Sequence, residues 1–223
     1  MIIKNTLYRL YQCLPQSIRT EIDIRRRASV WSQYGCIFIH VPKAAGFSVS
    51  HALYGRPLGH FRAIDIRRIY PDLFSDLLTF GVVRHPVDRL YSAYRFAKTG
   101  GTNEMGMKNP KRYQSGYFTS FDKFVCQWLA NQNLNTIDGV FRPQHFYLCS
   151  NNEIIVEKVI KLEEIALGMK ELTRSLGRNI VLGHHNQSQQ LPDTIKSTET
   201  WAIIEHVYRK DFEIFSYTLG QEL

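Results

Sequence analysis

The stretch Cys36–His51, CIFIHVPKAAGFSVSH, decides how the rest of the chain is read. It opens with four apolar residues, Cys36-Ile37-Phe38-Ile39, whose β-branched and aromatic content predicts a buried strand. Pro42 cannot donate to a sheet ladder and stops that strand. Lys43-Ala44-Ala45-Gly46 then turns the chain, and Ser48 is placed to cap a following helix. A strand, a turn of small residues and a helix start direct several backbone N–H groups at one spot. With a lysine beside them, that spot suits a phosphate or sulfate. The same pattern also serves an ordinary strand-to-helix connection, so the remainder of the chain has to decide.

A chain of 223 residues, 44% hydrophobic and 22% charged, belongs with ordinary globular proteins and can bury a sizeable core. Its net charge of +8 favours an anionic partner: nucleic acid, an anionic polysaccharide, a phosphorylated cofactor or a lipid surface. Cys13, Cys36, Cys126 and Cys149 are far apart and form no CxxC pair, so zinc and thioredoxin-like readings lack support. Reduced thiols and a cytoplasmic location, without a metal, are the expectation. No apolar run approaches the ~20 residues that cross a bilayer. Residues 1–35 read as a helical extension, in which Ile3, Leu7, Leu10, Tyr11 and Leu14 fall at helical spacing. Residues 1–30 therefore offer a possible peripheral membrane contact. Residues 36–223 read as a single α/β domain.

Along that domain, helices are predicted over Ser48–Tyr54 and Ala63–Tyr70, with a turn at Pro71-Asp72. A second strong strand is Thr79–Val83, followed by Pro86 in the first turn of a helix that runs to Lys98. Thr99–Gly116 is polar, glycine-bearing and basic, which marks a functional or mobile loop. Its Lys108, Lys111 and Arg112, with the aromatic Tyr113, Tyr117 and Phe118, suit an acceptor groove for an anionic or uncharged glycan. A helix over Ser120–Ala130, a strand over Glu153–Ile160, and helices over Glu163–Leu176 and Ser197–Tyr217 complete the pattern. Strands alternating with helices imply a parallel sheet covered by helices.

In such a sheet, loops leaving the carboxyl ends of neighbouring strands share one crevice. If the two strong strands are neighbours, Lys43–Ser48 and Arg84–Ser92 face each other there. The Arg84 guanidinium can hold a phosphate through two nitrogens, and the Ser92 hydroxyl can reach the same anion. A salt bridge with Asp88 for Arg84 and a solvated helix face for Ser92 are the competing structural roles. Two anion sites in one crevice suit a ligand carrying phosphates at two positions.

PKAAGFSVS resembles the 5′-phosphosulfate loop of sulfotransferases that use 3′-phosphoadenosine 5′-phosphosulfate, written PKTAGTS in their carbohydrate branch. VVRHPVDRLYSAY resembles that branch's 3′-phosphate motif. GH at Gly59-His60, FRPQ at Phe141–Gln144, KLEE at Lys161–Glu164 and YRKDFEIFSY at Tyr208–Tyr217 follow in the family's order. The nearest group is the heparan 2-O-sulfotransferase-like and bacterial branch. The resemblance implies a P-loop-like three-layer sandwich with a central parallel sheet flanked by helices. It implies that Lys43, Ala44, Ala45, Gly46, Phe47 and Ser48 hold the 5′-phosphosulfate, Lys43 also steadying the leaving oxygen. It further implies that Arg84 and Ser92 bind the 3′-phosphate, that Ser188 lies in a loop closing over the nucleotide, and that His60 is the general base. His85 stands where the family often has Asp or Asn and reads as structural. Ala44 and Phe47 stand where the family has hydroxyls. The implied acceptor is a poly- or oligosaccharide, with no nucleic acid partner. Two other readings remain: a basic glycan- or nucleic-acid-binding protein on a degenerate fold of this kind, and a P-loop kinase-like phosphotransferase. For the latter, GxxxxGK[ST] is absent.

Overall fold

The computed structural model describes residues 9–102, 105–107, 109–183, 195 and 197–218. Ile3, Leu7, Lys108 and Ser188, which the sequence singled out, lie outside the described residues. Helix α1 (Gln16–Arg25) and α2 (Ala28–Tyr34) lead into strand β1 (Cys36–Ile39), with Gly35 at φ 69° ending α2. Then come α3 (Gly46–Tyr54), α4 (Ala63–Ile69), α5 (Pro71–Asp76), β2 (Leu78–Val83) and α6 (Pro86–Lys98). Further along are α7 (Phe121–Lys123), α8 (His145–Leu148), β3 (Cys149–Ser150), β4 (Glu153–Ile154), β5 (Lys158–Lys161), α9 (Ile165–Leu176) and α10 (Thr198–Ile214).

The fold is α/β, with a central parallel sheet in the order β1-β2-β5 flanked by helices. Cys36 pairs with Leu78 and Ile39 with Gly81, and Phe80–Val83 pairs with Lys158–Lys161. All of β1 and all but the first residue of β2 are buried, so both read as continuous apolar runs rather than alternating ones. Gly81 is needed in β2 because a Cβ there would lie 2.4 Å from Leu148 Cδ2 of α8.

Two apolar clusters hold the chain together. One surrounds the sheet and takes in Ile24 of α1 and Trp31 of α2, both essentially unexposed. The other joins α6 and α10 to the segment between them through Leu90, Tyr94, Phe124, Phe141, Ile204 and Tyr208. Its rings meet tilted, at centroid distances of 5.2 Å for Tyr94–Phe124 and 5.5 Å for Phe124–Phe141.

Four expectations need correction. The helix after β1 begins at Gly46 with Ala45 before it, so Ser48 lies inside the first turn rather than capping it. Pro71-Asp72 starts a helix, because proline's missing N–H has no intrahelical partner to lose at the first position. Glu153–Ile160 divides into β4, which pairs antiparallel with β3, and β5, which pairs with β2. Tyr113 and Phe118 are 1% and 2% exposed and belong to the second cluster, so they line no groove.

Candidate active site

Because β1 and β2 are parallel neighbours, the chain leaves both at the same edge of the sheet, and the loops after Ile39 and Val83 meet. The first loop is tight. Lys43 and Ala45 hold left-handed φ values of 68° and 55°, a conformation that costs side-chain-bearing residues about 1 kcal/mol or more each. That curl starts α3 two residues before the position its serine predicted. Under it sits His40, buried and stacked on Phe38 with ring centroids 5.9 Å apart. A Cβ on Gly46 would fall 1.8 Å from His40 Cδ2 and 2.1 Å from Nε2, so only glycine lets the loop close over the ring. Ala44 is fully buried, Ser48 is 8% exposed, and the half-buried Phe47 packs on His51 at 4.3 Å.

Lys43 is part-buried, with Nζ 4.3 Å from the centre of the Phe96 ring. Burial, and then the charge of Arg84, bring its pKa down to about 8. The parallel pairing of β1 and β2 places the two loops close enough for the Arg84 charge to act on Lys43. Burial also lowers Arg84, while Asp88 and Glu163 pull it back up. Ser92 is buried on α6 beside Leu90 and Ala93.

The loop carrying Arg84 is clamped by residues the sequence marked only as motif fragments. Gln144 accepts from the Arg84 N–H at 2.9 Å and donates to the Arg84 carbonyl at 2.8 Å. Gln144 is in turn fixed by Asp211, a fully buried carboxylate. Asp211 accepts from the Gln144 N–H at 2.7 Å, the His145 N–H at 2.9 Å and His145 Nδ1 at 2.7 Å. Glu163 accepts from the His85 N–H at 2.8 Å and from the Tyr217 hydroxyl at 2.9 Å. The rings of Phe212 and Tyr217 meet His85 edge-on. FRPQ, KLEE and YRKDFEIFSY thus converge to set the main chain at Arg84 and His85. Neither Gln144 nor Asp211 was singled out individually from the sequence, although both lie in quoted motifs.

These elements are also the span over which the chain matches a known family: residues 26–218 fit the model of the sulfotransferase family. The chain belongs to the sulfotransferase family. Neither the curated proteins nor the solved structures give a match. As a sulfotransferase, the protein is a transferase of sulfuryl groups.

His60 lies next to His40, with ring centroids 4.0 Å apart, and its Nδ1 is 3.0 Å from the His40 carbonyl oxygen. A carbonyl only accepts, so Nδ1 carries the hydrogen and Nε2 keeps its lone pair. His60 is exposed on its cleft side, yet its surroundings lower its pKa and the His40 carbonyl partly offsets this, while the fully enclosed His40 is driven well below the ordinary imidazole value. Both rings are therefore neutral near pH 7. The open side of His60 lines a cleft of about 730 Å³ shared with Arg62, Asp65, Arg112, Asp138 and Arg142. The sulfotransferase thus presents a neutral imidazole at the cleft, with the Lys43 loop behind it. Among the described residues, no cluster of three or more His, Cys, Asp or Glu could hold a metal, and no helix is long and apolar enough to cross a membrane.

Proposed function

We propose that the protein moves a sulfuryl group from 3′-phosphoadenosine 5′-phosphosulfate to a hydroxyl of a carbohydrate. The observation that carries this reading is the pairing of Lys43 with Arg84 in one crevice, adjoining an imidazole whose free nitrogen is fixed by the His40 carbonyl. Lys43 and Arg84 are both partly desolvated, and Arg84 bears on Lys43, so a polyanion with phosphates at two positions fits the crevice. The start of α3 adds backbone N–H groups and the positive end of a helix dipole. With Ala44 buried and Phe47 lacking a hydroxyl, donor contacts in this loop fall to the backbone, Ser48 and Lys43.

In the reaction, His60 Nε2 takes the proton of the acceptor hydroxyl as that oxygen bonds to sulfur. The bond from sulfur to the bridging oxygen breaks, and the electron pair stays on the departing 5′-phosphate. Lys43 faces that growing charge, and a cation already desolvated stabilises it more than a hydrated one would. Gln144, backed by Asp211, holds the Arg84 main chain and Glu163 holds that of His85, so the Arg84 guanidinium meets the 3′-phosphate with little reorganisation.

Calorimetric titration with 3′,5′-phosphoadenosine tests the donor half. Wild type should bind, and Arg84→Ala should weaken binding about 10- to 100-fold, the loss of a charged hydrogen-bonding contact. A wild-type protein that does not bind the nucleotide overturns the proposal.

A further inference from the structure

We propose that Phe96 is the positioning residue for Lys43: its ring holds the ammonium charged and aimed into the donor crevice without placing a counter-anion there. The inference rests on the proposed role of Lys43 at the leaving oxygen and adds the group through which that role is sustained. Lys43 Nζ lies 4.3 Å from the centre of the Phe96 ring. The Lys43 backbone is held at φ 68° in the tight turn after β1, so the main chain fixes one end of the side chain and the ring the other. Phe96 is itself anchored. It lies on α6, four residues after Ser92 and so on the same face of the helix. Its side chain packs against the second apolar cluster, and its carbonyl accepts from the Gly101 N–H at 2.9 Å where the helix ends. One helix, entered through Arg84, thus carries both the serine assigned to the 3′-phosphate and the ring beside the lysine cation.

The surroundings of Lys43 explain why a ring serves here. Among the described residues, Lys43 is in no salt bridge. Of the titratable groups around it, Arg84 bears on Lys43 from the neighbouring loop, and His40 below the turn stays neutral, so neither supplies a counter-charge. Burial and the Arg84 charge both favour the neutral amine. A carboxylate beside Lys43 would oppose them strongly, but it would also repel the phosphosulfate and the charge growing on the departing oxygen. The face of an aromatic ring attracts a cation and carries no net charge, and the attraction strengthens as the pair is desolvated. It also leaves the N–H donors turned away from the ring for the departing oxygen. Phe96 therefore opposes the deprotonation of Lys43 and orients it, at no electrostatic cost to the donor.

The test reads the protonation of Lys43 in the full chain, without donor or acceptor. Trace acetic anhydride acylates only the neutral amine, so mass-spectrometric labelling of Lys43 against pH gives its midpoint. Mono-, di- and trifluorophenylalanine in place of Phe96 keep the shape of the ring while draining negative charge from its face. The midpoint should fall stepwise with fluorine content, by about 0.5–1 pH unit for the trifluoro ring. Phe96→Leu keeps the site apolar but removes the aromatic face and should give a fall of similar size, whereas Phe96→Tyr should restore the wild-type midpoint. In sulfate-transfer assays well below all these midpoints, Phe96→Leu should lose about tenfold in kcat with donor KM within about twofold, because Lys43 is still charged but no longer aimed. A midpoint indifferent to fluorination overturns the proposal. So does an equal fall in Phe96→Tyr and Phe96→Leu, which lost packing alone would produce. A wild-type protein that does not bind 3′,5′-phosphoadenosine instead defeats the sulfuryl-transfer reading and leaves the labelling result untouched.

Discussion

Gly46→Ala should damage the candidate site by a mechanism that can be isolated. The added methyl would lie 1.8, 2.1 and 2.7 Å from three atoms of the His40 ring, well inside contact distance. That ring cannot easily retreat, because Phe38 stacks on it and His60 touches it at a centroid distance of 4.0 Å. Overpacking a filled interior costs about 1–3 kcal/mol. For a chain of this length that is a fall in Tm of roughly 3–10 °C. Relief must come from displacing the ring or from opening the turn that carries Lys43 and Ala45, so nucleotide affinity should fall as well. His40→Ala removes the obstruction while keeping the carbonyl that orients His60, so the double variant should recover most of what Gly46→Ala loses. Chemical denaturation of the four proteins in the cycle gives the coupling, expected at about 1–3 kcal/mol in the compensating direction. Additive losses, or a Gly46→Ala protein with wild-type stability, would refute the wedge.

In sulfate-transfer assays, kcat/KM should fall on the alkaline side near pH 8 as Lys43 loses its proton. On the acid side it should fall only below the ordinary imidazole pKa, since His60 is active when neutral and its pKa is lowered. Lys43→Arg should abolish the alkaline fall, because arginine stays protonated throughout the range; an unchanged fall would acquit Lys43. Asp211→Asn turns an amide N–H toward a backbone donor, so urea unfolding should show a loss of about 2–4 kcal/mol. Because Gln144 would then lose its anchor, the same variant should also bind 3′,5′-phosphoadenosine more weakly, which fluorescence titration can follow.

Local patterns made much of this architecture legible. The apolar runs at Cys36–Ile39 and Thr79–Val83, and Pro86 at a helix start, survive in the fold with shifts of a residue or two. Where the reading failed, a non-local contact had intervened. Ser48 has the composition of a helix cap, but the left-handed turn over His40 started the helix earlier. Tyr113 and Phe118 sit in a polar, basic stretch that reads as surface, yet the aromatic cluster between α6 and α10 takes them in. Gln144 and Asp211 carry no periodic signal. Their importance arises because two segments 67 residues apart exchange hydrogen bonds around one buried carboxylate.

By itself, the sequence determined the strand–turn–helix at Cys36–His51, the cationic loops at Lys43 and Arg84, and the family through motif order. Those features depend on hydrophobic runs, proline and glycine, whose effects act within a few residues. Only the tertiary structure decided that β1 and β2 are neighbours, so that burial and the Arg84 charge lower the pKa of Lys43. It also decided that the His40 carbonyl fixes the His60 tautomer, and that residues of α1 line the same cleft as His60. Burial and charge act through space, and residues distant in sequence share a dielectric only after the chain has folded.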